Sequence, residues 1–270
     1  KRIDFIWVKI HKMPLYLESS KNPRVKWLMQ LQQKSRVRKS EGLVLVEGVK
    51  EVGLAIAAGW SPKIVVHDGE WSTLNDQNFE EWILEGSLME KVAMRGRRGE
   101  VIGIFPEPQT SLETLKLSEN PLLIVIEGVE KPGNLGAILR TADAAGVEGV
   151  LVVDSTTDIF NPNVARNSLG SLFSVPIAQA TSEEAHEFLM KNNVQIITTW
   201  LEASQPYDEI DYSVPTAFVL GSEAHGVSRF WVDNSSQRAI IPMAGKVDSM
   251  NVSVATAIIV FEGVRQRKKK

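Results

Sequence analysis

Residues 241–255 read IPMAGKVDSMNVSVA. Ile241-Pro242-Met243 closes an apolar strand and Ala244-Gly245 turns the chain. Asp248, Ser249 and Asn251 then stand just ahead of VSVATAIIVF, a run apolar enough to be buried almost all round. Ser, Asp and Asn are favoured at helix starts because their side chains accept the free backbone N–H groups there. One cap satisfies a helix. Three such residues around Met250 exceed that need, and a strand end facing a helix N-terminus is where α/β proteins hold ligands. The stretch therefore predicts a ligand loop between a strand and a buried final helix.

Outward from it, residues 121–267 alternate between strand and helix. PLLIVIEGV (121–129) is a continuous apolar run of the kind buried on both faces of a parallel sheet. NLGAILRTADAAG (134–146) is an alanine-rich helix stopped by Gly146, and VEGVLVVDS a second strand. NPNVARNSLGSLFSV and EEAHEFLMKNN read as helices, VQIITTW, TAFVLGSE and RAIIPM as strands, and SVATAIIVFEGVRQR as the last helix. Five or six strands separated by helices predict a doubly wound, mostly parallel sheet.

Upstream, NPRVKWLMQLQQKSRVRKSEG predicts one helix, GLVLVEG (42–48) a strand, and VKEVGLAIAAG a helix closed by Gly59. SPKIVVHDG (61–69) predicts a strand, residues 75–93 a mostly helical segment, and GEVIGIFPEP (99–108) a final strand. The expected organisation is an N-terminal extension (1–19), a small α/β domain (20–106), a linker (107–120) and the larger α/β domain (121–267).

Composition bounds the function. The 270 residues are 43% apolar, so a real core forms, and none is cysteine, which excludes disulfides and thiolate metal sites and suits a reducing cytoplasm. Four scattered histidines lack metal-ligand spacing, so no metal is expected. No stretch approaches a membrane span, and the N-terminus does not read as a signal peptide. The net charge is −3, yet residues 21–40 hold seven Lys/Arg and no acid, KVAMRGRRG (91–99) adds four, and the tail RQRKKK five. Such clustering points to a polyanion partner. Arg24, Lys34, Arg36, Arg38, Arg95, Arg97 and Arg98 are the expected contacts, with Arg166 a further phosphate contact in the larger domain.

Three polar clusters follow predicted strands: Asn134, Gly136 and Arg140 at a loop-to-helix junction, Gly221, Glu223, Gly226 and Ser228 in LGSEAHGVS, and the opening stretch. Loops at one sheet edge can converge on a single ligand. No phosphate loop, dinucleotide fingerprint or nucleophile elbow is present. Together the clusters resemble the signatures of the SpoU (TrmH-type) RNA ribose 2′-O-methyltransferases of the SPOUT superfamily. Asn134, Gly136, Arg140, Thr141 and Ala142 fit N-x-G-x-x-x-R-T-A; Gly221, Glu223 and Gly226 fit G-x-E-x-x-G; the opening stretch fits the third motif along its length. Met250 stands where that family usually has Leu, a volume-conserving exchange. Residues 20–105 resemble, more faintly, an L30e-like RNA-binding domain.

That resemblance implies an α/β-knot methyltransferase domain with a deep trefoil knot, whose loops here are 220–226, 240–245 and 248–252. It implies S-adenosylmethionine against Thr199, Leu220, Gly221, Ile241, Met243 and Met250, methyl transfer to a ribose 2′-hydroxyl of ribosomal RNA, and a homodimer formed through the first motif and the final helix. Transfer RNA is the alternative substrate, and a non-catalytic RNA-binding module the alternative class. Arg140 is the expected catalytic group, clamping a phosphate and stabilising charge on the 2′ oxygen. Asn134 is expected to position the ribose, Glu223 to orient Asn134 or Arg140, and Ser249 and Asn251 to pair with substrate and first-motif residues.

Overall fold

The computed structural model describes residues 13–69, 71, 79–94, 96, 99–202 and 204–268. The chain divides into two compact units, Lys1–Glu107 and Pro108–Lys270.

The first unit is a five-stranded sheet. Its strands are β1 (Leu15–Leu17), β2 (Leu43–Glu47), β3 (Ile64–His67), β4 (Glu80–Leu84) and β5 (Ile102–Pro106), in the order β1-β4-β3-β5-β2. Strands β1, β4 and β3 run parallel, while β5 is antiparallel to β3 and β2. Helices α1 (Pro23–Gln33), α2 (Ser35–Glu41), α3 (Val49–Ala57) and α4 (Gly86–Val92) complete it. Val25, Leu28 and Leu31 of α1 pack with Leu88, Met89 and Val92 of α4 over Leu45, Val66 and Trp82.

Two expectations change here. The helix expected through residues 75–93 includes β4, because Glu80–Leu84 alternates: Trp82 and Leu84 are buried between β1 and β3 while Glu80 faces water. Residues 75–78 lie outside the described residues. The single long basic helix is two, broken at extended Lys34 (φ −119, ψ 108). The break has a visible partner. Arg38 is only 3% exposed, and its Nη1 donates to Leu31 O at 2.5 Å and Gln32 O at 3.1 Å, carbonyls that the end of α1 leaves open. Arg38 is therefore a helix-terminating residue and not an exposed phosphate contact.

In the second unit all seven strands run parallel. They are β6 (Leu122–Glu127), β7 (Gly149–Val153), β8 (Ile177–Ala180), β9 (Gln195–Thr199), β10 (Gln205–Pro206), β11 (Thr216–Leu220) and β12 (Gln237–Ile240). Their order is β10-β12-β9-β11-β6-β7-β8. The chain steps outward from β6 to β8 and then returns across the sheet to β9, so β6 and β11 mark the reversal where open α/β sheets hold ligands. Short β8 and β10 bring the sheet to more strands than the apolar runs suggest.

Helices α5 (Pro132–Ala145), α6 (Pro162–Ser168), α7 (Ser171–Ser174), α8 (Ser182–Lys191), α9 (Arg229–Asp233) and α10 (Val252–Arg267) cover the sheet. The helix expected over 161–175 is split, because Leu169 adopts φ 52 at the C-cap of α6. On one face Leu123, Val125, Leu151 and Val219 pack with Leu189 and Trp231. Elsewhere Phe218 stacks edge-on against Tyr212 with centroids 4.9 Å apart, and α10 packs on α5.

Arg267 fixes the end of α10. Its guanidinium donates to the carbonyls of Asn120, Pro121, Tyr212 and Val214 at 2.7–3.0 Å, and Arg265 pairs with Glu262 at 2.6 Å. Arg267 of the basic tail is thus structural, while half-exposed Arg265 pairs within its own helix.

Candidate active site

The C-terminal ends of β9, β11 and β12 and the segment 241–251 enclose a cavity of about 660 Å³. Thr199, Leu220, Gly221, Ile241, Met243 and Met250 all line it, as do Glu223, Ser249 and Asn251. The volume falls in the roughly 300–1,000 Å³ range of small-molecule sites. Trp200, Asp248 and His225 also line it: Trp200 ends the VQIITTW run, Asp248 belongs to the polar loop ahead of the last helix, and His225 occupies a variable position of the second motif.

Each wall has a local cause. Gly221 follows β11 where the chain folds back on itself: a Cβ there would meet Gly226 C and O at 1.9 Å. Gly226 itself has φ +65, and its N–H returns to Ser222 O at 2.9 Å, closing a tight loop. Ser228 N–H donates to the buried Glu127 carboxylate at 2.6 Å, tying that loop to the end of β6. Asn251 caps α10: its Oδ1 accepts Ser253 N–H at 3.0 Å and Ser253 Oγ at 2.6 Å.

The amide on the other side of Asn251 does something a cap does not require. Its Nδ2 donates to Asn134 Oδ1 at 3.1 Å and also to Glu223 Oε1. Lys131 Nζ pairs with Glu223 Oε2. These contacts hold the Glu223 carboxyl below the usual carboxylate range, the Lys131 hydrogen bond first and those from Asn134 and Asn251 behind it. The same partner raises the Lys131 ammonium above its ordinary value. One residue from each motif, and Lys131 besides, thus meet beside the cavity. A second, small cavity of about 50 Å³ borders Lys131, Asn134, Gly221 and Glu223, so Glu223 stands between the two.

Lys131 is a residue that sequence reasoning missed, although a signal exists. It occupies the N-cap of the 14-residue α5, where a cation opposes the helix dipole and makes no capping bond.

Other expected residues fall elsewhere. Ser249 bonds Asp248 Oδ1 at 3.2 Å and does not reach the first-motif residues. Arg140 is exposed on α5, six residues beyond Asn134, and is not among the residues lining the cavity. No described residue forms a hydrogen bond or ion pair with its guanidinium. Nearby Asp143 accepts instead from Ser174 Oγ at 2.9 Å. Arg166 is half-buried on α6. In the first unit Arg24, Lys34 and Arg36 are exposed, Arg24 with its guanidinium 5.8 Å from the Trp82 ring centroid. Arg95, Arg97 and Arg98 lie outside the described residues.

A parallel sheet reversing at β6/β11, with three strand-end loops around one small-molecule cavity and a polar cluster at its rim, defines an α/β ligand-binding enzyme domain. Residues 121–261 match the SpoU rRNA Methylase family and residues 22–103 the MRM3-like substrate binding domain. The chain belongs to the SpoU rRNA methylase family. It is similar to an uncharacterized tRNA/rRNA methyltransferase of Synechocystis sp., with 31% identity over 93% of this chain and 94% of that one. It is also similar to the 23S rRNA (uridine(2479)-2′-O)-methyltransferase of Streptomyces viridochromogenes, with 28% identity over 92% of each. Among solved structures, the AdoMet-bound rRNA methyltransferase of Sinorhizobium meliloti superposes with a TM-score of 0.85 at 32% identity, covering 93% of this chain and 97% of that one.

Proposed function

We propose that this protein transfers a methyl group from S-adenosylmethionine to a ribose 2′-hydroxyl in ribosomal RNA. The observation that carries this reading is the convergence of Asn134, Glu223 and Asn251, one from each motif, on the rim of the cavity that Gly221, Ile241 and Met250 line. The cavity fits the cofactor: its volume suffices, and its wall mixes apolar Leu220, Ile241, Met243 and Met250 with polar Thr199, Ser222 and Asp248. When bound, S-adenosylmethionine supplies a methyl group on a sulfonium, already a good electrophile.

The residues of this chain then have to handle the hydroxyl, a poor nucleophile while protonated. Asn134, held by Asn251, would orient the ribose; Glu223 fixes both amides. Arginine stays protonated and cannot serve as base. Arg140 instead clamps phosphate and stabilises negative charge developing on the 2′ oxygen.

Arg140 lies away from the cavity of its own chain, which supports a homodimer in which a second copy brings it there. Exposed Val254 and Phe261, one turn-pair apart on α10, support the same assembly. The lining of one cavity by residues of both 220–226 and 240–252 supports a trefoil knot, and exposed Arg24, Lys34 and Arg36 support RNA docking on the first unit. A ribosomal RNA substrate supports a cytoplasmic location.

The test is methylation of unmodified ribosomal RNA by the purified protein, with nuclease digestion and nucleoside analysis. A 2′-O-methylated nucleoside is expected. Methylation of transfer RNA alone would replace the substrate, and cofactor binding without methylation of either would leave an RNA-binding module. Sedimentation at micromolar concentration is expected to show twice the 30.0 kDa chain mass.

A further inference from the structure

Lys131 has no role in the scheme above, yet its placement is not what a solvated surface lysine would adopt. It sits at the N-cap of α5 against the helix dipole, makes no capping bond there, and is held instead by Glu223. Pro132 follows it at the first helical position, so the backbone at this point is pre-set. Its side chain remains 69% exposed although Glu223 is only 26% exposed. The carboxylate therefore anchors the ammonium while most of the side chain stays open to solvent.

The location matters more than the pairing. Lys131 borders the small cavity that also touches Asn134 and Glu223, whereas Met243 and Met250 line the large one. A ribose brought against Asn134 carries a phosphodiester on each side. Among the described residues Lys131 is the cation that lines this small cavity, and Arg140 lines neither cavity. Lysine serves well as a point charge for phosphate. The pairing with Glu223 also keeps the ammonium protonated, so it can act as an anchor and not as a base.

We propose that Lys131 is a substrate-binding residue that holds a backbone phosphate flanking the target ribose, with Glu223 aiming it. This rests on the RNA methyltransferase reading. Two competing roles make different predictions. A lysine that merely braces Glu223 would act on the loop 221–226, hence on cofactor affinity. A lysine that contacts phosphate would act on RNA affinity and its salt dependence.

The experiment uses the full chain, unmodified large-subunit ribosomal RNA transcript, and the variants Lys131→Met and Lys131→Arg. RNA affinity is measured across a salt series, S-adenosylmethionine affinity by calorimetry, and methylation at varied RNA concentration. Lys131→Met is expected to weaken RNA binding about tenfold, as loss of a charge-assisted contact does, and to lower the salt slope by about one. KM for RNA should rise with kcat and cofactor affinity within about twofold, which marks a lost binding contact. Lys131→Arg should restore the slope. An unchanged salt slope in Lys131→Met, or weakened cofactor binding that accounts for the whole effect, overturns the proposal. If Lys131→Met is unfolded by circular dichroism, Lys131→Gln, which keeps a donor for Glu223 without the charge, decides: an unchanged slope in that folded variant also overturns it. Failure of the wild-type protein to produce any 2′-O-methyl nucleoside refutes the underlying reading instead, and the binding measurements remain interpretable without it.

Discussion

Asn251 Nδ2 donates to Asn134 Oδ1 at 3.1 Å across 117 residues of sequence, while Asn251 Oδ1 accepts the N–H of Ser253 at 3.0 Å. One side chain thereby starts α10 and ties it to the beginning of α5. The question raised by three polar residues ahead of a buried helix has a divided answer. Asn251 is both cap and tie, whereas Asp248 and Ser249 bond each other on the cavity wall.

The two ends of that amide can be separated. Asn251→Ala removes the cap and should destabilise the unit by about 1 kcal/mol in denaturant unfolding. Asn251→Asp keeps a capping oxygen but puts a second carboxylate beside Glu223. The cap should then be kept, but stability at neutral pH should fall through the lost donor and the added like charge, while the Glu223 carboxyl titrates higher than in the wild-type protein. The sign follows from the wild-type site, where hydrogen bonds from Lys131, Asn134 and Asn251 hold that carboxyl low. The Glu223 contribution is present above the ordinary carboxylate value and lost as pH falls through its depressed one. NMR titration of Glu223 in both proteins checks this; an unshifted midpoint in Asn251→Asp would show that the amide contributes nothing to the carboxylate.

Gly221→Ala tests the shape of the cavity. The added methyl would sit 1.9 Å from backbone atoms of Gly226, and backbone has nowhere to go without opening the Ser222–Gly226 turn. Affinity for S-adenosylmethionine should fall at least about tenfold, with destabilisation of about 1–3 kcal/mol from overpacking. Calorimetry returning near wild-type affinity would mean that the loop does not shape the ligand site.

What the sequence made legible was set by the range of each interaction. The buried parallel strands of the second unit stand out because burial on both faces makes continuous apolar runs such as LLIVIE. Strand β4 did not, since EEWIL sits in a segment with helix-like spacing and is a strand only because β1 and β3 pair with it. The cavity residues at 199, 220–221 and 241–250 were legible because loop motifs specify backbone shape locally. Lys131 and Arg38 were misread or missed for one reason: a cation's role depends on what it meets, here Glu223 across 92 residues and the carbonyls at the end of the preceding helix.

Arg38 and Arg36 should consequently part company. Arg38→Ala removes donors from Leu31 O and Gln32 O within a buried site, and leaving such acceptors open costs about 1–3 kcal/mol. Arg36 is exposed, so Arg36→Ala should leave stability within about 0.5 kcal/mol and weaken RNA binding with a shallower salt slope. Thermal unfolding and RNA titration of the two variants distinguish them. Equal stability loss in both would refute the structural role given to Arg38.

Tyr212 should govern stability in alkali. The residue is fully buried, and its hydroxyl donates to Tyr207 O at 2.6 Å. Burial, reinforced by the negative charges of Glu262 and Asp208, pushes the phenol well above its ordinary value of 10.0. The folded state therefore keeps a proton that the unfolded chain releases. For a raised value, the contribution is fully present below the unfolded pKa and lost as pH rises toward the folded one. Unfolding free energy should fall above pH ~10 with a slope from this group approaching about 1.4 kcal/mol per pH unit. Tyr212→Phe removes the titration but also the hydrogen bond, and should cost about 1 kcal/mol at pH 8. The difference between the two proteins should accordingly shrink above pH ~10 and vanish about one pH unit higher, where the lost titration offsets the lost bond. Urea unfolding of both proteins at pH values from 8 to about 11 measures that difference directly and cancels the lysines and other tyrosines common to both. A gap that stays constant over the whole range would mean that the Tyr212 phenol ionises no differently in the folded and unfolded chain.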